Sequence, residues 1–146
     1  MSDVDFILRL LCSLVAGLLI GFERGWHHKA AGLRTITLVT VGSALYVMLS
    51  IKMTLLEGDV TRIIAQVVTG IGFLGAGIIF KEGNIARGLT TAATVWCSSA
   101  IGCMAAAGFY TETLLVALAV LLVNSVLIIV DKHLEKRDAD KEDSCD

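Results

Sequence analysis

Five apolar stretches, almost free of charge, alternate with short polar or charged links along the chain. The first is Leu10 to Phe22, reaching back through Asp5, Phe6, Ile7, Leu8 and Arg9. The others run from Thr35 to Ile51, Ile63 to Phe80, Leu89 to Ala107 and Thr113 to Val130. A helix needs about 20 residues, within a range of roughly 17–25, to cross the hydrocarbon of a bilayer. Each stretch, taken with its flanks, meets that requirement. The fifth is apolar all round except at Asn124 and Ser125. A helix of a soluble bundle keeps a polar face, and this one has none to offer. The pattern predicts an all-alpha membrane protein, a bundle of about five transmembrane helices.

Composition agrees with lipid as the solvent. Apolar residues make up 55% of the 146 positions and charged residues only 18%, an excess that a soluble domain of this length does not need. Asp3 and Asp5 precede the first stretch, and GFERGW follows it, which does not fit a cleaved signal peptide. There is no proline, so kinks and turns fall to the 14 glycines. The cysteines, Cys12, Cys97, Cys103 and Cys145, have no CxxC or metal-ligand spacing and read as small apolar filling. A net charge of -2 gives no basic signal for nucleic acid.

Lysine and arginine set the expected topology. With the N-terminus outside, Arg24, Lys29, Arg34, Lys81, Arg87, Lys132, Lys136, Arg137 and Lys141 fall inside, against Arg9, Lys52 and Arg62 outside. The positive-inside rule then places the C-terminus in the cytoplasm and the link around Glu57 outside. Arg9 stands near a membrane face, where it can snorkel. The chain divides into a transmembrane domain, 1–130, and a charged cytoplasmic tail, 131–146, expected to extend the last helix briefly and then lose order.

Two glycine groups suggest close helix contacts. Gly17, Gly21 and Gly25 repeat every four residues along one face of the first helix. Such a row serves packing within one chain or between two, and the small size of the chain favours a homodimer through it. Gly70, Gly72, Gly75 and Gly77 in the third segment occupy more than one side. They read as packing positions or as an irregular backbone lining a cavity.

The informative polar residues gather at the inner ends: Glu23 and Arg24, Arg34 and Thr35, Lys81 and Glu82, Arg87, Thr90 and Thr91. The candidate polar site is Glu23, Arg24, Arg34, Thr35, Glu82, Arg87, Thr90 and Thr91; it reads as a polar vestibule, as a docking surface, or as interfacial anchoring with salt bridges. Glu23, Arg34, Glu82 and Arg87 are expected to connect across the two inner links. Gly88 can turn the chain, with a Thr90 or Thr91 hydroxyl satisfying free donors at a helix start. No Asp, Glu or His stands at mid-membrane, where a proton relay would sit. A magnesium ion wants hard oxygen ligands, and no obvious set is present. Without GK[ST], GxSxG or HExxH, no enzyme is expected.

The ordered set GLLIGFERGW, AGLRT, GIGFLGAGII, KEGNIARGLTTAATVW and CSSAIG, from Gly17 to about Gly102, resembles the MgtC/SapB family of bacterial inner-membrane proteins. That resemblance implies a five-helix membrane domain and a link to growth at low magnesium. It also implies magnesium or small-solute transport, with magnesium as substrate or ligand and no resident cofactor. The alternative is a non-catalytic membrane regulator or assembly partner acting through its cytoplasmic face on another membrane protein. The family pattern falls on Gly21, Glu23, Arg24, Arg34, Thr35, Gly70, Gly72, Gly75, Gly77, Glu82, Gly83, Arg87, Gly88, Thr90, Thr91, Ala92, Ala93 and Trp96. Two departures place the chain nearer the short, SapB-like branch. Its tail is brief where MgtC-type members carry a soluble C-terminal domain, and it has Thr90 where they resemble GLNTAA.

Overall fold

Ser2 opens the first helix by accepting the Asp5 N–H at 3.2 Å, and Asp3 and Asp5 place negative charge on the positive helix end. The computed structural model describes residues 1–53 and 59–142, with side chains described as far as residue 128. Helix α1 covers Asp3–Trp26, α2 Leu33–Met53, α3 Val60–Ile78, α4 Leu89–Ala107 and α5 Tyr110–Glu142. All five are long and apolar enough to cross a membrane, α5 through its Tyr110–Ile128 portion. The link around Glu57 and Cys145 lie outside the described residues.

Between α3 and α4 the chain forms an antiparallel hairpin of β1, Phe80–Glu82, and β2, Ile85–Arg87. The helical pattern did not predict it. Three-residue strands are too short to show a period, and the span expected to reach Phe80 stops at Ile78. The α5 helix also runs on to Glu142, past the Val130 limit and the brief extension expected.

Helix α4 is the most enclosed and α3 the least. Ile20 of α1, Ile36 of α2 and Val95 and Ile101 of α4 are buried together. A second cluster joins Ala44, Val47 and Met48 of α2 to Cys103 and Ala106 of α4. Small residues let these backbones approach, as membrane helices require. Gly102 packs directly on the Thr40 carbonyl, where a Cβ has no room. Ser43 and Ser99 add a buried hydroxyl pair at 2.7 Å between α2 and α4.

The α1 glycine row is used inside the chain. A Cβ at Gly17 would stand 3.0 Å from Thr37 Cα, and one at Gly21 would stand 2.9 Å from both the Cα and the carbonyl oxygen of Leu33. At Gly25 the nearest atom is Leu33 N at 3.8 Å. The face expected to serve a homodimer is, at Gly17 and Gly21, taken by α2 of the same chain. Glycine spacing specifies close approach but not which helix approaches. The Gly70–Gly77 stretch is continuous α-helix, which corrects the irregular-backbone reading. Its glycines differ among themselves. Gly75 meets Ala92 Cβ at 3.8 Å, whereas Gly70, Gly72 and Gly77 have nothing within 4 Å.

At the end away from the hairpin, Arg9 reaches over to α4. Its Nη1 donates to the Ala106 carbonyl. A cation there complements the negative end of the helix, where carbonyls lack intrahelical partners. Gly108 ends α4 at φ 88, with its N–H donating to Ala105 at 3.1 Å. Arg9 is therefore tied to a helix end, a more specific role than the snorkelling expected.

Candidate functional site

Helix phase decides which of the clustered polar residues turn inward. Ile20, Gly21 and Arg24 share the buried face of α1, as their spacing of three and four requires. Arg24 is therefore 1% exposed, the largest fully buried side chain among the described residues. Its Nη2 donates to Thr91 Oγ1 of α4 at 2.9 Å, and its Nε has no partner. Glu23, one position earlier, points along another line of the helix. Its side chain is 10% exposed with both carboxylate oxygens buried, and His27 Nε2 stands 3.7 Å from Oε1, one turn on. That contact is an ion pair when the imidazole is protonated, and neither carboxylate oxygen has a hydrogen-bond partner.

The hairpin holds a second pair. Antiparallel register sets Glu82 opposite Ile85 and Phe80 opposite Arg87. Glu82 and Arg87 thus share one face as diagonal neighbours, and they form an ion pair through Glu82 Oε2 and Arg87 Nε. Both side chains are well over half exposed, so the pair contributes little stability. Arg34 and Thr35, at the start of α2, are exposed and line the mouth of a groove between α2 and α3.

The expected connection of Glu23, Arg34, Glu82 and Arg87 is thus not made by ion pairs among the described residues. Glu82 meets Arg87, Glu23 meets His27, and Arg34 faces the groove. The threonines also depart from expectation. Gly88, at φ 89, is the N-cap of α4 and supplies no side-chain cap, while Thr91 accepts from Arg24 and Thr90 is exposed. A Cβ at Gly88 would collide with the Ile78 carbonyl, so glycine is demanded twice, by conformation and by space.

The polar line continues inward from Thr91 along α4. The Thr94 hydroxyl proton is shared between Thr90 C=O at 2.8 Å and Asn124 Oδ1 of α5 at the longer 3.3 Å. Asn124 is buried, and its Nδ2 has no partner. Composition marks Asn124 as the main polarity of the fifth stretch, but not its partner, because pairing across helices depends on their rotation. Among the described residues no group of three or more His, Cys, Asp or Glu could hold a metal ion.

The α2–α3 groove has a volume of about 760 Å³. Leu38, Val39, Tyr46, Ile63, Ile71 and Leu74 form its apolar walls, Gly42 and Gly70 widen it, and Gln66 and Ser43 add polarity.

The family model described as MgtC family matches residues 10–133. This chain belongs to the MgtC family. It is 51% identical over 117 residues to Protein MgtC of Brucella abortus, covering 79% of this chain and 48% of that protein. Protein MgtC of Salmonella typhimurium is 46% identical over 122 residues, 84% of this chain and 52% of that protein. An uncharacterised protein of Synechocystis is 47% identical over 123 residues, 84% of this chain and 52% of that protein. The chain thus spans about half the length of these relatives. No solved structure matches it. Family membership and five candidate spans together make it a multi-pass bacterial membrane protein.

Proposed function

We propose that this MgtC-family chain serves magnesium homeostasis as a non-catalytic membrane regulator, acting on another membrane protein. The magnesium link rests on the family resemblance. The regulatory role is supported by one observation above others: the seam of α1, α2 and α4 is closed backbone to backbone. Gly17 and Gly21 lie against α2, and Gly102 lies against the Thr40 carbonyl, while Ile20, Ile36, Val95 and Ile101 fill the space between. A packed interior of this kind has no room for a hydrated ion, which keeps several waters when magnesium is the ion. In this reading the N-terminus is outside and the hairpin end, with Glu23, Arg34, Glu82 and Arg87, faces the cytoplasm.

A second reading, transport, has its own support in the buried polar line of Arg24, Thr91, Thr94 and Asn124. Intramembrane polar residues of this kind mark ion pathways in other proteins. Flux into proteoliposomes separates the two. The purified chain, reconstituted beside empty vesicles, is challenged with magnesium and a range of other cations. Regulation predicts uptake equal to that of empty vesicles. Saturable uptake that grows with the amount of protein would establish transport instead.

A further inference from the structure

We propose that the groove between α2 and α3 holds an acyl chain of an anionic phospholipid, with the lipid phosphate at Arg34. The groove, about 760 Å³, has apolar walls that include Leu38, Val39, Ile71 and Leu74. These walls face out of the bundle: Leu38 is 71% exposed, and α3 is the least enclosed of the five helices. In a bilayer that direction is lipid. Two positions that would narrow the groove are glycines. A Cβ at Gly42 of α2 or Gly70 of α3 meets nothing within 4 Å. Each helix thus leaves out a side chain where the groove runs.

The length of the groove fits one leaflet. Its lining runs along α2 from Arg34 to Tyr46, about 18 Å at the helical rise of 1.5 Å per residue. Arg34 is the second residue of α2, and Trp26, 72% exposed, marks the headgroup level at this end of the bundle. The hydrocarbon of a bilayer is about 30 Å thick. A groove that starts at one face therefore ends a little past the midplane. A partner helix crosses both leaflets and calls for contact over the full depth. An acyl chain with its head at Arg34 needs only half of it.

The mouth is cationic. Arg34 is exposed and makes no ion pair among the described residues, since Glu23 stands at His27 and Glu82 at Arg87. A guanidinium can take two phosphate oxygens at once, while its stem lies along the hydrocarbon. Thr35, also exposed and lining the mouth, adds a hydroxyl. Among the described residues the same end carries Arg24, Lys29, Arg34, Lys81 and Arg87 against Glu23 and Glu82. That surplus favours an anionic headgroup. A zwitterionic headgroup brings an ammonium of its own, which offsets the attraction. The site stands whether the chain regulates or transports.

The test uses the purified full chain in detergent. It is equilibrated with phosphatidylglycerol or with phosphatidylcholine of the same acyl chains. Native mass spectrometry counts the lipid retained and the chains in each particle. Phosphatidylglycerol is expected to be retained several-fold more. Arg34→Gln should lower its retention about fivefold, the share of one cation near an anionic headgroup, and leave phosphatidylcholine as it was. Gly70→Leu fills the groove from a position with nothing within 4 Å of its Cβ, and should reduce retention of both lipids. Gly42→Leu does the same from α2 and decides the matter if Gly70→Leu does not fold. Gly72→Leu is the control: its Cβ is equally free, but Gly72 does not line the groove, and lipid should be retained as in the parent. Equal retention of the two lipids by the parent overturns the proposal. So does a folded Arg34→Gln or groove-filled variant that retains phosphatidylglycerol as the parent does. A dimer that Gly70→Leu takes apart, without any lipid preference, would overturn it by giving the groove to a second copy of the chain.

Discussion

Gly21→Ala tests the packing of α1 on α2 with a single methyl group. The added Cβ would stand 2.9 Å from two backbone atoms of Leu33 and 3.3 Å from a third. Ordinary contact begins near 3.4 Å, so the start of α2 must move by several tenths of an ångström. Backbone cannot rotate away as a flexible side chain can. Overpacking of this kind costs about 1–3 kcal/mol. Alanine gains back up to about 1 kcal/mol in helix propensity. The balance lies between about 0 and 3 kcal/mol of loss, centred near 1–2 kcal/mol. Gly70→Ala is the control. Nothing lies within 4 Å of its new methyl, so only the propensity gain remains, between zero and about 1 kcal/mol of stabilisation. Denaturant titration of the purified variants in mild detergent, followed by helix circular dichroism, measures both. Gly21→Leu extends the series and is expected to unfold the protomer rather than shift a monomer–dimer balance. A Gly21→Ala protein as stable as the parent, or a Gly70→Ala protein that loses more than Gly21→Ala, would refute the packing argument.

Gly88→Ala should cost about 1–3 kcal/mol, since φ 89 strains any side chain and the Ile78 carbonyl blocks it; unchanged unfolding would show that the hairpin adjusts freely. For the Thr94–Asn124 bond, Thr94→Val and Asn124→Leu should each destabilise by about 1–3 kcal/mol, and the double variant should recover part of the loss, because two apolar partners leave no stranded polar atom. Additive losses in that double-mutant cycle would mean that the two residues do not act on each other. Asp59 caps α3 by accepting the Thr61 N–H at 2.9 Å and the Thr61 hydroxyl at 2.6 Å, and these bonds hold its carboxyl below the usual value of 3.8. A folded pKa below the unfolded one means that the cap's contribution is present above the unfolded pKa and is lost as pH falls through the folded one. Amide exchange at Thr61 should therefore lose protection below about pH 4, beyond the ordinary pH trend of exchange, and Asp59→Asn should remove that dependence.

The five spans were legible because each is an unbroken apolar run, and lipid tolerates nothing else over that length. The lateral arrangement was not legible. Gly17 and Gly21 look no different in sequence from Gly70 and Gly72, yet one pair is covered by α2 and the other is bare. What separates them is the neighbour, which spacing does not encode. At the polar end the pairs were not legible either. Glu82 and Arg87 pair because hairpin register makes them diagonal neighbours. Arg24, rather than Glu23, enters the bundle because it follows Ile20 and Gly21 around the helix. The sequence also held a usable signal for Arg24, since a charge in phase with the buried residues of a membrane helix must find a partner inside.

The regulatory account is tested most directly in a bacterial host whose growth at low magnesium depends on an MgtC-family protein. Growth and the initial rate of magnesium uptake are measured together, at several expression levels of this chain. The account predicts that growth is restored while the uptake rate per cell stays at that of the empty host. Uptake that rises in proportion to the protein would contradict regulation in favour of transport, and a folded, membrane-inserted chain that restores no growth would remove the link to magnesium.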